Sequence, residues 1–256
     1  MYMDQTLIYC AGETAACRFA GTYLSNTSLF VTDHPDQNIS HVLLDVPSFG
    51  TNGRLRSGGS IEDLLSQLPA DVILCGGNLN HPALKNFRVV DFLKDENYLA
   101  QNAYITAECA LDVALPYLSV TIRGCPVLVF GWGRIGKCLA QLLRSIGAMV
   151  TVVARKETDR AMLSALGYQA LDTAYLRENL RSFQLVYNTV PCSILSKEQC
   201  RYFGKDCILI DLASSQGIDH EDVIIARGLP SIHFPESSGK LIAQTFLQYY
   251  NKEETA

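Results

Sequence analysis

Several things are scarce in this chain, and each shortage excludes a class of protein. Charged residues fill only 18% of its 256 positions and the formal net charge is −5. No broad basic field therefore exists, so nucleic acid and anionic membrane surfaces are not expected partners. No apolar run approaches the roughly 20 residues that cross a bilayer. A positively charged start followed by an apolar segment is also missing, which leaves no visible secretory signal and a cytoplasmic protein as the expectation. The nine cysteines include no C-x-x-C pair, are odd in number and mostly lie in apolar runs. They read as reduced small hydrophobes, with no disulfide framework and no metal site expected. Cys192, beside a candidate cofactor loop, is the single thiol worth considering as reactive.

What the chain has is apolar residues, at 48%, enough to build the cores of two modest domains or one large one. They are organised around 126–155, PVLVFGWGRIGKCLAQLLRSIGAMVTVVAR. A short apolar strand leads into Gly131, Gly133 and Gly136 at G-x-G-x-x-G spacing. A helix-period stretch follows, and then a second β-branched strand. That context is the one a dinucleotide-binding turn requires. Gly131 permits the tight turn, Gly133 lets the backbone approach a pyrophosphate, and Gly136 lets the helix pack close to the sheet. Trp132, Arg134 and Ile135 complete the turn, whose free N–H groups at the helix N-terminus favour an anion.

The end of the second strand bears on which dinucleotide binds. An acidic residue usually stands about twenty residues beyond the glycines, where it bonds the ribose 2′-hydroxyl of NAD. Here the residues are Ala154, Arg155 and Lys156. The missing carboxylate and the two cations favour NADP, whose 2′-phosphate they are suited to pair with. An ordinary solvated strand end is the alternative. Further on, Asn188, Thr189, Val190 and Pro191 follow one strand, and Asp211, Ala213 and Ser214 lie at the end of another, where ribose and nicotinamide are expected to rest. Asp211 is suited to orient a donor, to bind a hydroxyl, or to cap the turn that follows it.

Before residue 120 the pattern alternates strands (5–9, 28–32, 41–45, 71–75) with helices (13–24, 61–68). The fold class predicted is α/β, two doubly wound parallel-sheet domains, the C-terminal one a Rossmann dinucleotide-binding domain. Loop 47–59 has the most flexible composition in the chain. Arg54 and Arg56 within it are candidates to grip a carboxylate. A helix over 102–119, with Thr106 as its capping signal, is read as the connector between domains. The domains are then 1–119 for substrate and 120–237 for cofactor. A helix within 238–256 is expected to return to the first domain, with loop 228–239 lining a cleft.

NAYITAE at 102–108, GWGRIG at 131–136, YNTVPCSIL at 187–195, ILIDLASSQG at 208–217 and GLPSIHFPESSGKLIA at 228–243, in this order, resemble the dipicolinate synthase A family. That family is related to the D-isomer-specific 2-hydroxyacid dehydrogenases. The resemblance implies a sporulation protein of the mother-cell cytoplasm. It would oxidise a dihydrodipicolinate-type precursor to dipicolinate with NADP, alongside a flavoprotein-like partner, dipicolinate synthase B. The substrate would be a cyclic dicarboxylate, with Ser48, Thr51, Arg54, Thr106, Gly228, Leu229 and Pro230 as its binding positions, and a homo-oligomer is expected. His233 and Glu108 are the candidate proton acceptors. Two family cations are replaced, by Ser215 and Glu236, and Arg227 and His233 are the candidates to compensate. A non-catalytic dinucleotide-sensing or partner-binding protein, or a dehydrogenase for another hydroxy or imino acid, stays open beside this reading.

Overall fold

The computed structural model describes residues 7–175 and 180–254. Its inner strands are near-continuous apolar runs buried on both faces, as parallel sheets covered by helices require. Two units result, Met1–Asn102 with Pro230–Ala256, and Ala103–Leu229.

The first unit opens with β1 (Leu7–Cys10), α1 (Ala15–Ser25), β2 (Phe30–Thr32), β3 (Ile39–Leu43), α2 (Ile61–Leu65), β4 (Ile73–Gly76) and β5 (Arg88–Asp91). All pairings are parallel, in the order β2-β1-β3-β4-β5. That order places a topological switch point between β1 and β3. The crevice there is closed by the chain itself. Asp45, buried just beyond β3, accepts the Thr14 N–H at 2.9 Å, the Thr14 hydroxyl at 2.6 Å and the Glu13 N–H at 3.2 Å. An internal carboxylate thus sits on the N-terminus of α1, where a ligand anion would otherwise be favoured.

Loop 47–59, flexible by composition, is folded as an irregular hairpin. Phe49 bridges Leu55, Gly50 N–H donates to Arg54 C=O at 2.9 Å, and Arg56 N–H donates to Ser48 C=O at 2.9 Å. The Phe49 and Leu55 side chains anchor it in the core of the unit.

α3 (Glu96–Ala114) follows. It starts earlier than the sequence suggested, because Asp95 caps it, accepting the N–H groups of Asn97 at 2.7 Å and Tyr98 at 2.9 Å. Thr106 is therefore not a cap; it is a buried residue in the middle of the helix. The units divide inside α3, after Asn102, whereas the sequence reading placed a boundary near 120.

The second unit contains β6 (Pro126–Phe130), α4 (Arg134–Ser145), β7 (Met149–Val153), α5 (Glu157–Ala165), β8 (Gln169–Leu171), β9 (Leu185–Asn188), α6 (Lys197–Cys200), β10 (Ile208–Asp211) and β11 (Ile224–Ile225). The strand order is β11-β10-β9-β6-β7-β8, again all parallel. Read from the other edge this is the 3-2-1-4-5-6 arrangement of a dinucleotide-binding domain, with its switch point between β6 and β9. Leu139 and Leu143 on α4 are fully buried against the sheet, each worth about 1.5–3 kcal/mol relative to exposure. The sequence of 174–181 reads as a helix, and residues 176–179 of that stretch lie outside the described residues.

The chain closes with α7 (Leu229–His233) and α8 (Pro235–Glu254). Loop 228–239 of the sequence reading is thus mostly helical, since Pro230 and Pro235 occupy first-turn positions where a missing N–H costs nothing. α8 packs on α1 within the first unit, so closely that a Cβ on Gly239 would lie 2.5 Å from Ala16 O.

Candidate functional site

The glycine turn leaves β6 at the switch point, and its three glycines meet three different surroundings. Gly131 has φ of +100°, left-handed backbone that favours glycine, and a Cβ there would meet Thr189 Oγ1 at 2.5 Å. At Gly136 a Cβ would strike Gly131 O at 2.3 Å. Gly133, the N-cap of α4, has no protein atom beyond its own chain neighbours within 4 Å of its Cβ position. No side chain caps the helix there. The turn is thus packed tight below and open above, at a helix N-terminus whose first N–H groups lack intrahelical acceptors. This is the shape a pyrophosphate needs, and the residues fit a dinucleotide.

A cavity of about 640 Å³ runs from this turn to the end of β7. Gly131, Trp132 and Gly133 line one side, Ala154, Arg155 and Lys156 the rim, and Val190 and Pro191 another wall. The rim is held by a residue the sequence reading missed. Arg160 Nη1 donates to the C=O of Ala154 at 2.8 Å and of Arg155 at 2.7 Å, while its Nη2 pairs with Asp172 at 2.8 Å. With Arg160 clamping the backbone, the exposed side chains of Arg155 and Lys156 have no ion pair or hydrogen bond among the described residues. Asp159, in the first turn of α5, adds a carboxylate to the same cavity. Phe130, Val153, Thr173, Cys192, Ser193 and Ile194 line it too. Cys192 is exposed.

Beyond β9 and β10, buried polar residues hold the loops. Thr189 Oγ1 donates to Phe130 C=O at 2.7 Å, and Asn188 Oδ1 accepts the Val190 N–H at 2.8 Å. Asp211 is fully buried. Its carboxylate accepts the N–H groups of Ala213 at 3.1 Å, Gly217 at 2.7 Å and Ile218 at 3.1 Å, and Asn188 Nδ2–H at 3.1 Å. Arg227 completes the set, with Nη2 donating to Asp211 Oδ1 at 3.2 Å and Nη1 to Asp211 C=O. Every lone pair is directed at the protein, so Asp211 positions loop 211–218 and has no acceptor left for a ribose hydroxyl. Arg227 is committed to the same network.

The remaining candidates are dispersed between the units. Ser48 is buried, its Oγ donating to Asp45 C=O at 2.7 Å and accepting the Gly77 N–H at 3.2 Å. Thr51 and Arg54 are exposed on the tip of their hairpin, Pro230 is half-buried, and His233 is half-buried at the end of α7. In the second unit, Glu108 is exposed on α3, Thr106 and Leu229 are buried, Gly228 has φ of 64°, and Ser214 is exposed.

Geometry and topology define the second unit as a dinucleotide-binding domain. Residues 93–227, more than half of the chain, match the family model described as D-isomer specific 2-hydroxyacid dehydrogenase, NAD binding domain, and the chain belongs to that family. It is similar to dipicolinate synthase A of Bacillus subtilis (strain 168), at 25% identity in an alignment 233 residues long that covers 83% of this chain and 78% of that one. Among solved structures, dipicolinate synthase A from Bacillus halodurans has a TM-score of 0.83 at 19% identity, covering 97% of this chain and 98% of that one. The solved dipicolinate synthase A of Bacillus subtilis gives 0.81 at 21% identity, covering 100% and 98%. The chain is an oxidoreductase-family protein with a nicotinamide dinucleotide cofactor. Among the described residues, no helix is long and apolar enough to cross a membrane.

Proposed function

We propose that this chain is the NADP-dependent oxidoreductase component of a dipicolinate synthase, oxidising a dihydrodipicolinate-type precursor to dipicolinate during sporulation, in the mother-cell cytoplasm, together with a flavoprotein-like partner, dipicolinate synthase B. The observation that carries the cofactor reading is the cavity with an open glycine at one end and, at the other, two cations unpaired among the described residues. Gly133 and the first turn of α4 would hold the pyrophosphate, Arg155 and Lys156 the 2′-phosphate, and loop 188–191 the nicotinamide end. When bound, NADP supplies the hydride acceptor. The chain's own task is to orient the ring, neutralise two carboxylates and take up a proton, with aromatisation supplying much of the driving force. In the first unit Arg54 is the proposed carboxylate partner, with Ser48, Thr51 and Pro230 as substrate positions and His233 as one proton acceptor; in the second, Thr106, Gly228 and Leu229 are the substrate positions and Glu108 the other acceptor.

The dinucleotide-sensing alternative gains support from Arg227. Its guanidinium is bound to Asp211, so it does not replace the cations lost at Ser215 and Glu236. One assay separates the readings. The purified chain with the flavoprotein-like partner of a dipicolinate synthase is given a dihydrodipicolinate-type substrate and NADP, and reduced nicotinamide and dipicolinate are both measured. Formation of both supports the synthase. NADP binding without turnover, while a control synthase turns over, assigns the chain to sensing. Turnover only with another hydroxy or imino acid in a substrate panel would replace the substrate.

A further inference from the structure

A pair of thiols in the first unit stands apart from this chemistry. Cys10 ends β1 and Cys17 lies in the first turns of α1, and their sulfurs are 3.7 Å apart. Two glycines make the room. A Cβ on Gly12 would lie 2.4 Å from Cys17 Sγ, and one on Gly21 would lie 3.0 Å from Cys10 Sγ. Cys17 is fully buried, whereas Cys10 is only half-buried. We propose that Cys10 and Cys17 form a redox dithiol, a site of reversible oxidation by a peroxide, with Cys10 as the attacking sulfur and Cys17 as the resolving one.

The environment divides the roles in that order. The hydrogen bond shared by the two thiols lowers the pKa of Cys10, while the same bond and burial raise that of Cys17 well above the ordinary thiol value. A thiolate is thus favoured at the less buried of the two positions, where nucleophilic attack begins. With hydrogen peroxide as oxidant, the Cys10 thiolate takes one oxygen and becomes a sulfenic acid, as the O–O bond breaks and hydroxide leaves to gain a proton and form water. The Cys17 sulfur then attacks the Cys10 sulfur, the S–O bond breaks, and the Cys17 proton leaves with the hydroxyl as a second water.

The test is native-state oxidation of the full chain with hydrogen peroxide, followed by denaturation, alkylation and non-reducing peptide mass spectrometry. The expected result is a Cys10–Cys17 disulfide, with the alkylatable thiols falling by two from nine and returning to nine after dithiothreitol. In Cys17→Ser, Cys10 is expected to accumulate as a dimedone-trapped sulfenic acid. Should that variant not fold, the wild-type peptide map decides alone. Both thiols remaining free while the exposed Cys192 is oxidised, or a disulfide mapping to another pair, would overturn the proposal.

Discussion

Changing Gly133 or Gly136 to alanine adds the same methyl group to the same turn, yet the two variants should fail in different ways. At Gly136 the new Cβ would lie 2.3 Å from Gly131 O and 3.0 Å from Gly131 C. Both are backbone atoms of the turn, so the turn itself must shift. Overpacking of this kind costs about 1–3 kcal/mol, and a contact this short belongs at the upper end. The better helix propensity of alanine returns up to about 1 kcal/mol, leaving a net loss of about 2 kcal/mol. For a protein of this size that lowers Tm by about 4–8 °C. At Gly133 the backbone is ordinary, with φ of −80°, and no atom beyond its chain neighbours lies within 4 Å of the added methyl. The only stability cost is a poorer N-cap, below about 1 kcal/mol. The methyl instead fills the place where a pyrophosphate approaches, so dinucleotide affinity should fall by about tenfold or more, equal to about 1.4 kcal/mol. Thermal unfolding and calorimetric titration of both variants provide the readout. A Gly133→Ala protein that binds dinucleotide as the wild type does, or a Gly136→Ala protein of unchanged Tm, would refute this division of roles.

Three further outcomes follow from the geometry. Arg155→Asp should move preference from NADP towards NAD by about tenfold or more, because a charge-assisted phosphate contact becomes a repulsion; an unchanged ratio would place the 2′-phosphate contact elsewhere. Asp211→Ala leaves Arg227 Nη2, Asn188 Nδ2 and three loop N–H groups without their carboxylate acceptor, and urea unfolding should show about 3–5 kcal/mol less stability; a loss under about 1 kcal/mol, the usual worth of a single net hydrogen bond, would contradict the anchoring role. Asp95 has its pKa lowered, first by the Tyr98 N–H and then by Tyr249 and neighbouring groups. Its stabilisation is complete above the unfolded value of about 3.9 and is lost as pH falls through the lower folded value. Asp95→Asn, which keeps a capping oxygen, should therefore match the wild type near neutrality and lose stability less steeply in acid; identical acid profiles would disprove the assignment.

Both parallel sheets and the glycine turn were legible because their signals are local and repeated: buried strands read as apolar runs, and the turn needs glycine at fixed spacing. β5 was missed because an edge strand with Arg88 and Val89 exposed carries no such run. The start of α8 was hidden by Pro235, a breaker within a helix but a good first residue. Thr106 looked like a cap because a hydroxyl before an apolar run also occurs inside a helix that packs one face. Arg160 left no signal at all, since two of its acceptors are backbone carbonyls. At Asp211 the sequence offered a ligand contact or a turn cap, and only the hydrogen-bond geometry separates them.

The central claim is that the cavity between the glycine turn and Arg155 holds NADP. Calorimetric titration of the wild-type chain with NADP and with NAD, in the same buffer, tests it most directly. The account predicts saturable binding of NADP, tighter than that of NAD. NAD binding as tightly as NADP would remove the role given to Arg155 and Lys156, and no binding of either dinucleotide would contradict the account at its base.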